Sequence, residues 1–153
     1  MLMDKVNFLK NEFISSLNTI DPEVKSLWGT LSLQGMVEHM TDSIGVGWRR
    51  IQFPLQYSEE ITNKSRIFML SDKPFKPGTK NSLMSEVPEV LRCKNLEEAK
   101  EELKNEIGQF FTFWANNPDG KVLNPFFGEL SYQEWVHLLH KHATHHLKQF
   151  DVE

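Results

Sequence analysis

The sequence predicts an all-α protein, and two observations carry that prediction. Four segments repeat apolar residues at helical spacing while nothing persuasive alternates with period two. The last two of them also open on helix-start signatures, Asn95-x-x-Glu98 and Ser131-x-x-Glu134. A length of 153 residues suits one domain, so residues 1–153 are expected to share a single core. A chain of this size buries enough surface to fold without disulfides or metal.

The first helix is predicted over about Asp4 to Leu17, where Val6, Leu9, Phe13, Ile14 and Leu17 form one stripe, with the Asp21-Pro22 turn beyond it. The second is predicted from Ser32, whose hydroxyl can cap free backbone N–H groups, to about Gln52, just short of Pro54. Leu33, Met36, Met40, Ile44, Gly47 and Ile51 share its face. From Pro54 to Lys94 the chain holds Pro74, Pro77 and Pro88 and reads as irregular, apart from a short helical piece around Ser65 to Leu70. A connection of that length is either functional or a surface wrap; Phe68, Met69, Leu70, Phe75 and Leu83 predict that it packs against the body. The third helix is predicted from Asn95 to about Asn116, before the Asn117-Pro-Asp-Gly120 turn, and the fourth from Ser131 to about Phe150. The expected architecture is a four-helix bundle with a long connection between its second and third helices. A short echo, Gly29-Thr-Leu-Ser-Leu-Gln34 and Gly128-Glu-Leu-Ser-Tyr-Gln133, sets comparable starting points for the second and fourth helices.

Composition excludes several functions. The net charge of −4 offers no excess positive field for nucleic acid or an anionic membrane, so neither is an expected partner. Cys93 is the single cysteine, which rules out an internal disulfide and a multi-cysteine zinc ribbon and fits a reducing compartment. The opening ten residues place charges where a signal peptide has its apolar run, so a cytoplasmic protein is expected. No phosphate-binding loop, nucleophile elbow or dinucleotide fingerprint is present.

The positive signal is histidine. Five of the six, His137, His140, His142, His145 and His146, fall in the fourth helix. Counting roughly 100° per residue from His142, Trp135 lies at about +20°, His146 at about +40° and Leu139 at about +60°, so His142 and His146 share the buried stripe. His137 and His140, at about −140° and +160°, are expected on the solvated side, and His145, at about −60°, on the border. An i, i+4 histidine pair aims both rings at one spot, as a single transition-metal ion requires.

A pair alone binds weakly, and His39 is the remaining histidine. It lies about 10 Å past Ser32, while His142 and His146 lie about 16 and 22 Å past Ser131. Antiparallel packing of the two helices places His39 between the pair, whereas parallel packing leaves it well below. Three neutral imidazoles leave a coordination position open, and an all-histidine set favours Zn or Ni, admits Fe, and disfavours Mg and Ca. The competing reading of the same spacing is that His142 and His146 are hydrogen-bonded core histidines and the others a polar helix face.

Gln34-Gly-Met-Val-Glu-His39-Met40 in the second helix and His142-Ala-Thr-His-His146-Leu-Lys-Gln149 in the fourth, led in by Leu130-Ser-x-x-x-Trp135, resemble the DinB-like family of metal-binding four-helix bundles. The resemblance implies a divalent-metal site on His39, His142 and His146. It also implies activity on a small-molecule substrate, with metal-activated thiol or water attacking an electrophile in S-transferase, isomerase or hydrolase chemistry, and a low-molecular-weight thiol as co-substrate. The long Pro54 to Lys94 segment departs from the family's thiol transferases and maleylpyruvate isomerases, so substrate identity does not carry over. The alternative is a non-catalytic helical bundle that binds metal, a ligand or a partner chain.

Five further residues enter as candidates. Gln149, at about −20° and one turn past His146, can orient its ring. Glu38 and Asp42 flank His39 and offer the same service, or are simple surface carboxylates. Arg50 could meet an anionic substrate tail, or be solvated or ion-paired. Cys93, between Arg92 and Lys94, could have a depressed pKa, or be an ordinary thiol. The aromatic group Phe110, Phe111, Phe113 and Trp114 reads as core. A homodimer is compatible with a small bundle, and no sequence feature specifies one.

Overall fold

The structure, a computed structural model, describes residues 1–77 and 90–152. It is mainly helical with one small two-stranded sheet. The first helix, α1, is continuous through three pieces: Leu2–Asn7, a π-helical turn over Phe8–Glu12, and Phe13–Leu17. Its buried residues Leu9, Phe13 and Leu17 follow the predicted stripe.

Helix α2, Leu33–Val46, starts where expected, with the Ser32 hydroxyl accepting from the Gly35 N–H at 3.0 Å. It ends six residues before the predicted Gln52, and Pro54 is not what stops it. Gly47 lies so close to the Phe110 and Trp135 rings that a Cβ there would come within 2.9 and 3.1 Å of them. Two residues on, Arg49 takes a left-handed φ of 69°, and the Arg50 and Ile51 N–H groups both return to the Gly45 carbonyl. A residue in that conformation terminates a helix.

The Pro54 to Lys94 stretch is more ordered than its prolines suggest. Helix α3 spans Glu59–Leu70, twice the expected piece, capped by Ser58 and carrying Glu59 and Glu60 in the first turn, where the helix dipole favours negative charge. Its buried residues are Thr62 and Met69, while Ile61 and Ile67 are 49% and 71% exposed, so no apolar stripe announces it. Met69 and Phe75 pack against the core as expected. Phe68 and Leu70, 38% and 37% exposed, are only partly covered, and Leu83 lies outside the described residues.

Helix α4, Leu96–Asn116, is capped by Asn95, whose side chain accepts from the Glu98 N–H at 2.8 Å, and it buries Ala99, Leu103, Ile107, Phe110 and Trp114. Strands β1, Val122–Asn124, and β2, Gly128–Leu130, then form an antiparallel hairpin that the sequence pattern did not announce. Asn124 Oδ1 closes its turn by accepting from the Phe126 and Phe127 N–H groups. Helix α5, Tyr132–Gln149, opens on the full predicted capping box, Ser131 with Glu134. The echo before α2 and α5 also has a backbone basis, since Gly29 and Gly128 both sit at positive φ, 75° and 83°, three residues ahead of a capping serine.

Helix α2 packs along α4, α4 against the π-turn of α1, α1 against α5, and α5 back against α2. Gly47 touches Trp135 near one end of the α2–α5 pair, and His39 meets His142 and His146 nearer the other, so these helices run antiparallel. Among the described residues, no helix is long and apolar enough to cross a membrane.

Candidate metal centre

The antiparallel run of α2 and α5 brings the His39 ring to 4.9 and 5.0 Å from those of His142 and His146. His39 Nε2 lies 3.0 Å from His142 Nε2, and His146 Nε2 lies 2.9 Å from the same atom. One ligand nitrogen from each ring falls within 4.8 Å of the others, the arrangement one cation could share. His146 is buried, whereas His39 and His142 are half-buried and keep contact with the surface.

The hydrogen-bonding network fixes which nitrogen of His146 carries the proton. The Trp28 carbonyl can only accept, and it takes the Gln149 side-chain Nε2–H at 2.8 Å. Gln149 Oε1 therefore faces His146 Nδ1 at 2.7 Å, so Nδ1–H donates and the Nε2 lone pair points at the other rings. Gln149 thus orients the ring as its helical position predicts.

The cluster cannot satisfy itself. An imidazole nitrogen either donates or accepts in the ring plane, never both, yet His142 Nε2 sits at hydrogen-bond distance from two ring nitrogens. At most one of the two contacts is a full hydrogen bond. The other is no better than the weaker arm of a three-centre bond.

Charge reinforces this. Burial, then His145, lowers the pKa of His39 to about 4. Burial, then His39, lowers that of His146 to about 3 against a smaller rise from Gln149. Burial, His146 and His39 hold His142 well below its usual range. All three rings are neutral at neutral pH, the form that ligates metals.

The remaining histidines correct the helical-wheel reading. His137 is not on a solvated face: Lys5 Nζ lies 2.7 Å from its Nδ1, and its Nε2 lies 2.9 Å from the Met69 carbonyl. His140 packs edge-on against Phe8 at 4.9 Å between ring centroids. Both are covered because α1 and α3 lie against α5, so that helix has no wide wet side. His145, expected at the border, has its ring 5.4 and 6.1 Å from those of Trp28 and Phe75 and 5.3 Å from that of His146.

The other candidates lie elsewhere. Glu38 accepts from Gln34 and from the Arg92 and Cys93 N–H groups, and Asp42 pairs with Arg92 and Arg50; their carboxylates are engaged away from His39. Arg50 is ion-paired, with Nε 2.6 Å from Glu106 Oε2, and is not poised for a substrate tail. The Cys93 thiol is buried, and burial with the Glu102 and Glu38 carboxylates raises its pKa against the smaller effect of Arg92, the opposite of activation. Phe110 and Trp114 are core, as expected.

Sequence reasoning passed over Lys141. Its ammonium, buried beside His142, donates to the Ser71 and Lys73 carbonyls at 2.8 and 2.6 Å and more distantly to that of Phe68. The lysine pins the chain leaving α3 onto α5 next to the histidines, and only tertiary structure brings those carbonyls within its reach.

Comparison with protein-family models, curated proteins and solved structures returned no match.

Proposed function

We propose that this chain is a four-helix bundle of the DinB-like type in which His39, His142 and His146 hold one divalent transition-metal ion, Zn or Ni, at a site for small-molecule chemistry. The observation that carries the reading is His142 Nε2, within 3.0 Å of two ring nitrogens when it can make a full hydrogen bond to only one. A shared cation turns both contacts favourable at once, because each neutral ring then offers a lone pair. The ring of α1, α4, α2 and α5 packing supports the bundle, and the sequence resemblance over Gln34–Met40 and His142–Gln149 supports the type.

A divalent ion at such a site supplies a nucleophile at neutral pH by lowering the pKa of a bound thiol or water by several units. The chain's own part is to position and to exclude. His146 is locked by Gln149 with its lone pair inward. Burial keeps the three rings unprotonated. His39 and His142 are half-buried as residues, and the reading requires a small electrophile to reach the cluster from their side. The reading assigns S-transferase, isomerase or hydrolase chemistry, with a low-molecular-weight thiol as the co-substrate of the first two. A single buried, protonated cysteine is consistent with a cytoplasmic setting.

Titration of the metal-free, untagged protein with Co²⁺ tests the assignment. One equivalent is expected to give visible absorption bands that are lost in His39→Ala and His142→Ala but kept in His137→Ala. Bands that survive in His39→Ala would remove the site from the α2–α5 pair.

A further inference from the structure

Two pairs of apolar side chains flank the histidine cluster. On the α5 side, the Trp28 and Phe75 rings both lie against His145, whose ring touches that of His146. On the α2 side, the Leu31 and Leu91 methyl groups stand 3.5 and 3.8 Å from where a Cβ of Gly35 would be, one turn before His39. Helical side chains lean toward the N-terminus, so the His39 ring leans toward this glycine and its leucine rim.

These apolar groups remain accessible: Trp28, Leu31 and Phe75 are half-buried, and Leu91 is 43% exposed. Accessible apolar groups gathered around a few converging polar atoms are the composition of a small-molecule site. Three basic groups around these residues are paired or screened. Arg92, beside Leu91, is held by Asp42, Glu102 and, at longer range, Glu38. Lys141, beside His142, is spent on backbone carbonyls. Lys148, near His145, is exposed, where water screens its charge.

Resting on the metal reading above, we propose that this site selects a substrate carrying an uncharged apolar group, aryl or branched alkyl, which lodges between Trp28 and Phe75 on one side and Leu31 and Leu91 on the other. Gln149 links that selection to the centre, since its Oε1 orients His146 while its Nε2 and backbone carbonyl hold Trp28 and Leu27. Trp28 and Leu91 are the specificity-determining residues.

The test uses the Co²⁺-loaded protein and three small donors, imidazole, 4-phenylimidazole and imidazole-4-carboxylate, with dissociation constants read from the visible bands. The phenyl compound is expected to bind at least about tenfold more tightly than imidazole, and the carboxylate no more tightly. Trp28→Ala and Leu91→Ser should each shrink the ratio of phenyl to imidazole affinity toward one, whereas Ile67→Ala, at an exposed site on α3, should leave that ratio as it is. Equal affinity for imidazole and its phenyl derivative, or tightest binding of the carboxylate, overturns the proposal while the metal reading stands. Absence of the bands on loading overturns both.

Discussion

Lowering the pH of the metal-free protein from about 7.5 to about 5 is expected to remove about 3 kcal/mol of stability through His39 and His146 alone. In the unfolded chain each imidazole titrates near its ordinary pKa of about 6.5, so at pH 5 protonation stabilises that state by about 2 kcal/mol per ring. In the folded chain His39 and His146, with pKa values of about 4 and about 3, stay neutral at pH 5 and gain almost nothing. The sign follows: the unfolded state binds more protons, so stability is present above the unfolded pKa and is lost as pH falls through it. The full sum of about 4 kcal/mol is reduced to about 3 because His39 keeps some contact with water. His142, His137, His140 and His145 are shifted in the same direction and add to the loss. Asp42, raised chiefly by burial, runs the other way and can only soften it. Urea unfolding followed by far-ultraviolet circular dichroism at the two pH values should show a midpoint lower by about 1 to 2 M at the acidic one. Bound Zn²⁺ should hold the midpoint steady until protons displace it. An unchanged midpoint in the metal-free protein would mean that the rings protonate freely in the fold, which contradicts their burial.

Other perturbations separate the parts of the account. Gln149→Leu removes both the acceptor that orients His146 and the donor to Trp28, and should weaken metal binding by about 10- to 100-fold in a competitive chelator titration. Gly47→Ala forces a methyl group against Phe110 and Trp135 and should destabilise the fold by about 1 to 3 kcal/mol in urea, without changing metal stoichiometry. Lys141→Met removes the donor that ties the Ser71 and Lys73 carbonyls to α5; hydrogen exchange should accelerate across Glu59–Leu70 while α4 keeps its protection.

The parts legible in the sequence are those fixed by local chemistry. Ser32, Asn95 and Ser131 mark helix starts because a cap is a bond between residues three apart. Gln149 was legible for the same reason, facing His146 from three residues away on one helix. Placing His39 needed only the pitch of a helix and an antiparallel neighbour.

What was illegible depends on distant chain. The hairpin strands are three residues each, too short for alternation to show, and α3 has a cap but no apolar stripe. His137 and His140 looked solvated because a wheel assumes one buried face, whereas α1 and α3 cover more of α5. Cys93 has basic sequence neighbours that left activation open, but its spatial neighbours Glu102 and Glu38 are acidic, and it is the ordinary thiol of the other reading.

The most direct test of the central claim is the metal content of protein purified without a histidine tag. Elemental analysis should find close to one equivalent of Zn or Ni per chain, and His142→Ala, which removes the ring whose Nε2 meets both others, should fall to background. Equal, sub-stoichiometric metal in both proteins would contradict the account and leave the three histidines as a structural cluster.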